Sequence, residues 1–340
     1  MSPPRRFHVA VAGATGLVGR ELLRVLSQRD FPAASIRAFA SERSAGSTVP
    51  FDGATLAVER LTADSFAGVD IAFFAAGTRP SLEFAPAAVE AGALVIDKSG
   101  AWRMKERVPL VVPEINARRI PDNEGIVSVP NCCTIPLAMV LDPLRDAAGL
   151  DRVVVSTYQS ASGGGTGLAR ELDDQVRAVA AERTPEARVL PHQLAHNVVP
   201  GGWTMAEDGY NEEEAKLVAE TRKILEDPEL RVGVTCVRVP VPVGHSEAVL
   251  VETSRPLEPD RARQVLAGYP GIVVVDDPGH QGYPTAAAAA GRDEVFVGRI
   301  RRDPSVVNGL ALWVVTDNLR KGAAVNGVQI AERAIEMGAV

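Results

Sequence analysis

Short apolar runs alternate with stretches of helical periodicity along the first 130 residues. Phe7 to Ala12 is an apolar run that ends at Gly13, and Leu17 to Leu26 then carries apolar residues at helical spacing, which predicts strand, glycine turn and helix. Further β-like runs at Ser35 to Ala40, Ile71 to Ala76, Ala93 to Ile96 and Gly125 to Val129 are separated by helical stretches such as Ser81 to Glu90. Strands alternating with helices predict an α/β fold with a doubly wound, parallel, Rossmann-type sheet joined by right-handed crossovers.

After about residue 130 the rhythm changes. A helical run from Thr134 to Ala147 leads into a strand, Arg152 to Tyr158, and a Gly-rich stretch, Ser160 to Gly167. Glu212 to Leu225 reads as an amphipathic helix, while Val232 to Thr253, Val295 to Arg301 and Leu310 to Thr316 are β-rich, as in a mixed or antiparallel sheet. The expected division is a first domain over residues 1–131 and a second, α+β domain over 132–319. A helical pattern from Ala323 to Met337, within 320–340, is expected to return to the first domain. Ala286 to Ala290 reads as a bland helical turn.

Composition adds bounds. The chain has 340 residues, 46% of them hydrophobic and 23% charged, which suits compact globular domains rather than a disordered chain. A formal charge of -7 gives no general attraction to nucleic acid or anionic membranes. Apolar stretches fall short of a membrane span, and Pro3, Pro4, Arg5 and Arg6 run into a strand-like segment without a signal-peptide core, so the cytoplasm is the expected location. The cysteines are Cys132, Cys133 and Cys236, with neither a disulfide framework nor a CxxC spacing; no metal is expected, and a reactive thiol is the reading to test.

Gly13, Gly16 and Gly19 form a GxxGxxG turn between strand and helix, where missing side chains let backbone N–H groups approach phosphate. At the end of the next strand stand Ser41, Glu42, Arg43 and Ser44; Arg43 and Ser44 suit a 2′-phosphate, which favours NADP over NAD, although Glu42 is an awkward neighbour. Cys132 follows Pro130 and Asn131 at the start of a helix, whose dipole favours a thiolate. The same position equally suits a small buried hydrophobe.

The stretches Gly13-Ala-Thr-Gly-Leu-Val-Gly19, Ser41-Glu-Arg-Ser-Ala-Gly46, Trp102-Arg-Met104, Val111-Val-Pro-Glu-Ile-Asn116, Pro130-Asn-Cys-Cys-Thr134, Thr157-Tyr-Gln159, Gly244-His-Ser246 and Asp317-Asn-Leu-Arg-Lys-Gly322 occur in one collinear series. In these motifs, over nearly its whole length, the sequence resembles bacterial aspartate-semialdehyde dehydrogenase. The resemblance implies an NADP-dependent, phosphorylating oxidoreductase of lysine, threonine and methionine biosynthesis. It would interconvert aspartyl phosphate and aspartate semialdehyde with release of phosphate, as a homodimer. Cys132 would be the nucleophile, with Cys133 at a position often filled by serine, Gln159 would orient substrate and His245 would be the acid/base. Arg238 would pair with the substrate carboxylate and Glu213 with its amino group, while Arg103 and Lys216 would bind phosphate. Gly13, Thr15, Gly16, Leu17, Val18, Arg43, Ser44, Ser162, Gly163 and Asn318 would contact NADP.

The residues allow plainer readings. Glu213 and Lys216, at i and i+3, also read as an exposed ion pair, and Arg238 as a strand-edge charge. His8, His192, His196 and His280 lack a motif and read as surface or structural histidines. Lys98 and Gly100 depart from the family, which commonly has Asn and Ser there. Two alternatives stand beside the main reading: N-acetylglutamyl phosphate reductase, which typically has Gly where this chain has Asn131, and a non-catalytic nucleotide-binding paralogue. Because Arg238 and His245 are an odd number of residues apart, they share a cleft only if Pro240, Pro242 and Gly244 bend or end the strand between them.

Overall fold

The computed structural model describes residues 5–206 and 209–340. Pro3 and Pro4, invoked above, lie outside the described residues. The chain forms two compact units, one of residues up to 131 together with 323–340, the other of residues 132–322.

In the first unit β1 (Phe7–Ala12) leads through the glycine turn into α1 (Leu17–Gln28) and β2 (Ala33–Ala40). A hairpin, β3 (Thr48–Phe51) and β4 (Ala54–Arg60), follows, then β5 (Ile71–Phe74), α2 (Thr78–Glu90), β6 (Leu94–Asp97), the short α3 (Pro113–Asn116) and β7 (Ile126–Ser128). The strand order is β3-β4-β2-β1-β5-β6-β7, parallel except for β3 against β4. Pro50 sits in β3, an edge strand that tolerates a residue without an N–H. Central strands are covered on both faces, so β5 and β6 are buried at every position, and Phe39, Phe66 and Phe74 pack with centroids 6.3 and 5.6 Å apart. The strand order reverses between β1 and β5, which puts the crevice beyond their carboxyl ends at Gly13, where such sheets take ligands.

The second unit begins with α4 (Thr134–Ala148), a helix buried on nearly every side against α6 (Glu212–Leu225), α7 (Pro259–Ala267) and the sheet. Its other elements are β8 (Arg152–Gln159), α5 (Gly165–Ala180), β9 (Arg231–Arg238), β10 (His245–Glu252), β11 (Ile272–Val274), the one-turn α8 (Ala286–Ala289), β12 (Val295–Asp303) and β13 (Gly309–Thr316). The order β11-β12-β13-β10-β8-β9 is a mixed sheet, with β8/β9 and β11/β12 parallel and the other pairs antiparallel. The β-rich stretch Val232 to Thr253 is two strands that flank β8. β9 stops at Arg238, the prolines cannot join a ladder, and Gly244 turns the chain at φ +94° where a Cβ would lie 2.8 Å from the Ala286 carbonyl oxygen.

α6 starts at a capping box in which Asn211 and Glu214 satisfy each other's backbone N–H groups, with acidic residues in its first turn and Arg222 and Lys223 in its last. The last segment passes through a wide turn, Arg320–Ala324, into α9 (Val325–Glu336), which belongs to the first unit. There Asn326 Nδ2 donates to the Val111 carbonyl at 2.9 Å and Gln329 Nε2 to Glu114 at 2.9 Å.

Candidate active site

In the first unit the glycine turn is built for close backbone approach. Gly13 has φ +87°, and a Cβ on it would meet the Ala75 carbonyl at 2.6 Å; one on Gly19 would lie 2.1 Å from the Gly13 oxygen. Gly16 caps α1, so Thr15, Leu17 and Val18 surround the helix N-terminus. Beside it lies a cavity of about 390 Å³ lined by Gly13, Thr15, Gly16, Ser41, Glu42 and Arg60. A cradle that any side chain would fill, at a helix N-terminus, fits a dinucleotide pyrophosphate. Arg43 and Ser44 lie on the single turn after β2, with Arg43 exposed. Glu42, the awkward neighbour, pairs with Arg60 at 3.3 Å.

Arg103 is also in this unit and is buried. Its Nε donates to the Val129 carbonyl at 3.0 Å and Nη2 to the Lys98 carbonyl at 2.8 Å, so the loop after β6 fixes its guanidinium. In that loop Asp97 accepts from Ser81 and Ser99, each at 2.7 Å; burial raises its pKa and the two serines oppose the rise. Lys98 is half-buried and Gly100 exposed.

In the second unit three strand ends converge. Gln159 on β8 is in register with Arg238 on β9, and Tyr158 with Ser246 on β10, so Arg238, Gln159 and His245 lie in one row across adjacent strands. Cys132, two residues ahead of α4, brings Sγ within 3.4 Å of His245 Nε2. The other ring nitrogen, Nδ1, accepts from the Ser160 backbone N–H at 3.0 Å. An amide can only donate, so the neutral imidazole carries its proton on Nε2 and points it at the sulfur. Cys132, Cys133 and His245 have donor atoms within 4.8 Å of one another, a spacing compatible with a metal, but an Nε2 that keeps its proton is a donor rather than a ligand.

Ser160 ties the row together. Its carbonyl accepts from Arg238 Nη1 at 2.7 Å, and its hydroxyl bonds Asn318 Oδ1 at 3.0 Å, which also accepts from Gly244 N at 3.0 Å. Asn318 Nδ2 donates to Ser162 Oγ at 3.0 Å, so both ends of this amide are engaged within the protein. A Cβ on Gly163 would lie 2.9 Å from Arg238 Nη1 and from His245 Nε2, and one on Gly322 would lie 3.1 Å from Cys132 Cβ. A side chain at Gly163 would push Arg238 and His245 aside, and one at Gly322 would crowd Cys132.

Arg238 is 4% exposed, its guanidinium stacks on Trp203 at 4.8 Å, and its Nε is buried without a partner. Burial lowers its pKa, while Cys132 and Glu213 raise it, so anions hold its charge in place. Gln159 Nε2 donates to Glu213 Oε1 at 3.3 Å. Lys216 lies 3.7 Å from Glu213 and 3.5 Å from Glu212, so the ion pair in the plainer reading is present, but its acid partner is buried. Of the other histidines, His8 bonds Ser35, His280 bonds Asp277, and His192 and His196 are exposed.

Cys132, Gln159, Glu213, Lys216, Arg238, His245, Ser162, Gly163 and Asn318 therefore belong to the second unit, and Arg103, Arg43, Ser44, Gly13, Thr15, Gly16, Leu17 and Val18 to the first. Ser160, Trp203 and Glu247 were not singled out from sequence. Strand alternation two residues from His245 could have flagged Glu247, whereas the backbone N–H of Ser160 leaves no mark in a sequence.

Residues 8–123 match the family described as "Semialdehyde dehydrogenase, NAD binding domain", and residues 141–321 match "Semialdehyde dehydrogenase, dimerisation domain". The chain is similar to the aspartate-semialdehyde dehydrogenase of Aquifex aeolicus, 47% identical over 98% of this chain and 99% of that one. It is also similar to that of Bacillus subtilis, 45% identical over 96% and 97% of the two chains. A crystal structure of aspartate semialdehyde dehydrogenase II from Vibrio cholerae, complexed with ASA, superposes with a TM-score of 0.95 at 42% identity over 98% of this chain and 99% of that one. Among the described residues no helix is long and apolar enough to cross a membrane.

Proposed function

The chain belongs to the aspartate-semialdehyde dehydrogenase family, and from that premise we propose that it performs the NADP-dependent reductive dephosphorylation of L-aspartyl 4-phosphate to L-aspartate 4-semialdehyde through a thioester on Cys132. This step serves lysine, threonine and methionine biosynthesis. The carrying observation is the convergence of a half-buried thiol, an Nε2–H donor and a buried arginine with a spare N–H around the end of β8.

The Cys132 thiolate attacks the acyl carbon; the carbon–sulfur bond forms as the bond to the phosphate oxygen breaks, and phosphate leaves toward Arg103 and Lys216. Arg238 forks the substrate α-carboxylate, Glu213 takes the ammonium group, and Gln159, bonded to Glu213, orients the substrate between them. When bound, NADPH supplies the hydride that reduces the thioester to the aldehyde. His245 holds its Nε2 proton toward the reacting atoms and moves it as charge develops on oxygen.

The first unit binds the cofactor, with Gly13, Thr15, Gly16, Leu17 and Val18 at the phosphates and Arg43 and Ser44 selecting NADP over NAD through the 2′-phosphate. Ser162, Gly163 and Asn318 would contact NADP, with Asn318 held by its bonds to Ser160, Ser162 and Gly244. The second unit carries catalysis and dimerisation in a homodimer. Free cysteines throughout accord with a cytoplasmic location. The test is phosphate-dependent NADP reduction with aspartate semialdehyde against N-acetylglutamate semialdehyde. Turnover of the first alone supports the reading; preference for the second, or no turnover of either, overturns it.

A further inference from the structure

The mechanism above gives Trp203 no part, yet its ring lies against the arginine assigned to the substrate carboxylate. Arg238 Cζ sits over the indole, 4.8 Å from the ring centroid. Arg238 is 4% exposed and Trp203 half-buried, so the pair is largely withdrawn from water. Tryptophan is the best aromatic partner for a cation, and the attraction grows as both are desolvated.

The chain around Trp203 keeps the ring in that place. Val199 and Arg238 exchange backbone hydrogen bonds of 2.9 and 2.8 Å, an antiparallel bridge laid along β9, the edge strand of its sheet. Val199 is also fastened in a buried cluster with Leu190, Leu194 and Leu168 of α5. Gly202 turns the chain at φ +92° just before Trp203, and the Thr204 carbonyl then accepts from the Glu212 N–H at 2.8 Å, at the first turn of α6. The strap 199–204 is therefore tied at one end to the backbone of Arg238 and at the other to the neighbour of Glu213. Those are the residues assigned to the substrate carboxylate and ammonium group.

Within the guanidinium, Nη1 is committed to the Ser160 carbonyl at 2.7 Å and Nε is buried without a partner. A single hydrogen bond lets the group swing about that contact. A flat ring against it removes the swing, because a planar fork stays stacked in one orientation only.

We propose that Trp203 is a positioning and specificity-determining residue: stacked on Arg238, it holds the guanidinium fork in the orientation that meets the substrate α-carboxylate. Selection of that carboxylate then depends on the indole as well as on the arginine. The inference rests on the assignment of Arg238 in the proposed function.

The test is phosphate-dependent NADP reduction with aspartate semialdehyde by the full-length Trp203→Leu, Trp203→Ala and Trp203→Phe proteins. Leucine and alanine remove the π face, so KM should rise roughly 5- to 30-fold with kcat within about twofold of wild type, the range expected for a desolvated cation–π contact. Phenylalanine keeps a ring and should fall between. In an Arg238→Met background Trp203→Leu should cost no further kcat/KM, because the indole acts only through the arginine. Emission gives a readout without turnover and without the leucine and alanine variants. In Cys132→Ala protein, the difference in emission with and without Trp203→Phe isolates Trp203 from Trp102 and Trp313. Aspartate semialdehyde should shift this emission and inorganic phosphate should not. An unchanged KM in Trp203→Leu and Trp203→Ala, a fall in kcat at constant KM, or a phenylalanine variant as impaired as the leucine one overturns the inference. So do equal losses with and without Arg238, and an emission that aspartate semialdehyde leaves unmoved or that phosphate shifts equally. All of these leave the proposed function standing if the wild type turns over aspartate semialdehyde; a wild type that does not overturns both.

Discussion

Replacing Arg238 with lysine tests substrate recognition with the charge kept. The guanidinium lies 4% exposed against Trp203, with Nη1 committed to the Ser160 carbonyl at 2.7 Å and Nε buried without a partner. A substrate carboxylate that accepts from Nε gives that donor the bond it lacks. Lysine offers an ammonium without the planar fork, so at least one charge-assisted hydrogen bond is lost, about 1.5–3 kcal/mol. If the loss falls equally on bound substrate and transition state, KM for aspartate semialdehyde rises roughly 10- to 150-fold with kcat little changed. Initial rates of phosphate-dependent NADP reduction measure both constants, and a melting curve with NADP titration shows that the variant is folded. An unchanged KM would remove Arg238 from substrate binding. A fall in kcat alone would mean that the arginine works through Ser160 on His245 instead.

Cys132→Ala should abolish turnover while NADP still binds, whereas Cys133→Ser should keep substantial activity; a dead Cys133→Ser with an active Cys132→Ala would move the nucleophile by one residue. His245→Asn should lower kcat more than it changes KM, by roughly 10²- to 10⁴-fold, and a mainly KM effect in steady-state rates would contradict the proton role. Arg43→Ala should weaken NADP binding much more than NAD binding in fluorescence titrations, and equal losses would make the arginine structural. Gly13→Ala should destroy binding of both dinucleotides, because a Cβ there overlaps the Ala75 carbonyl at 2.6 Å; wild-type affinity would refute the turn as the phosphate site.

The fold was legible where local chemistry and periodicity agree. Glu212 to Leu225 coincides with α6 because Asn211 and Glu214 box its start and Arg222 and Lys223 close its last turn. The hairpin β3–β4 is absent from the sequence expectations, although Asp52 and Gly53, both at positive φ, form the sort of turn that joins such strands. α5 was hidden because Gly165 and Gly167 open it and glycine reads as loop. α7 carries its own start signal, Pro259 at its first position.

Within the site, motifs could nominate Cys132, Gln159, Arg238 and His245, and the prolines and Gly244 implied a break before His245. They could not show that β9 and β10 flank β8, because strand order depends on long-range pairing. Nor could they show that the Ser160 N–H sets the His245 tautomer, since a backbone donor has no residue type of its own. Alternation along β10 puts Glu247 on the face of His245, but a sequence does not say which layers cover that face, so its burial is visible only in the fold.

A covalent aspartyl group on Cys132 can be observed by fragment-ion mass spectrometry of acid-quenched protein. Wild-type protein mixed with aspartyl phosphate in the absence of cofactor should carry an aspartyl adduct on Cys132 that is missing from Cys132→Ala and disappears when NADPH is added. An adduct on Cys133, or none at all from a protein that turns over normally, would contradict the account.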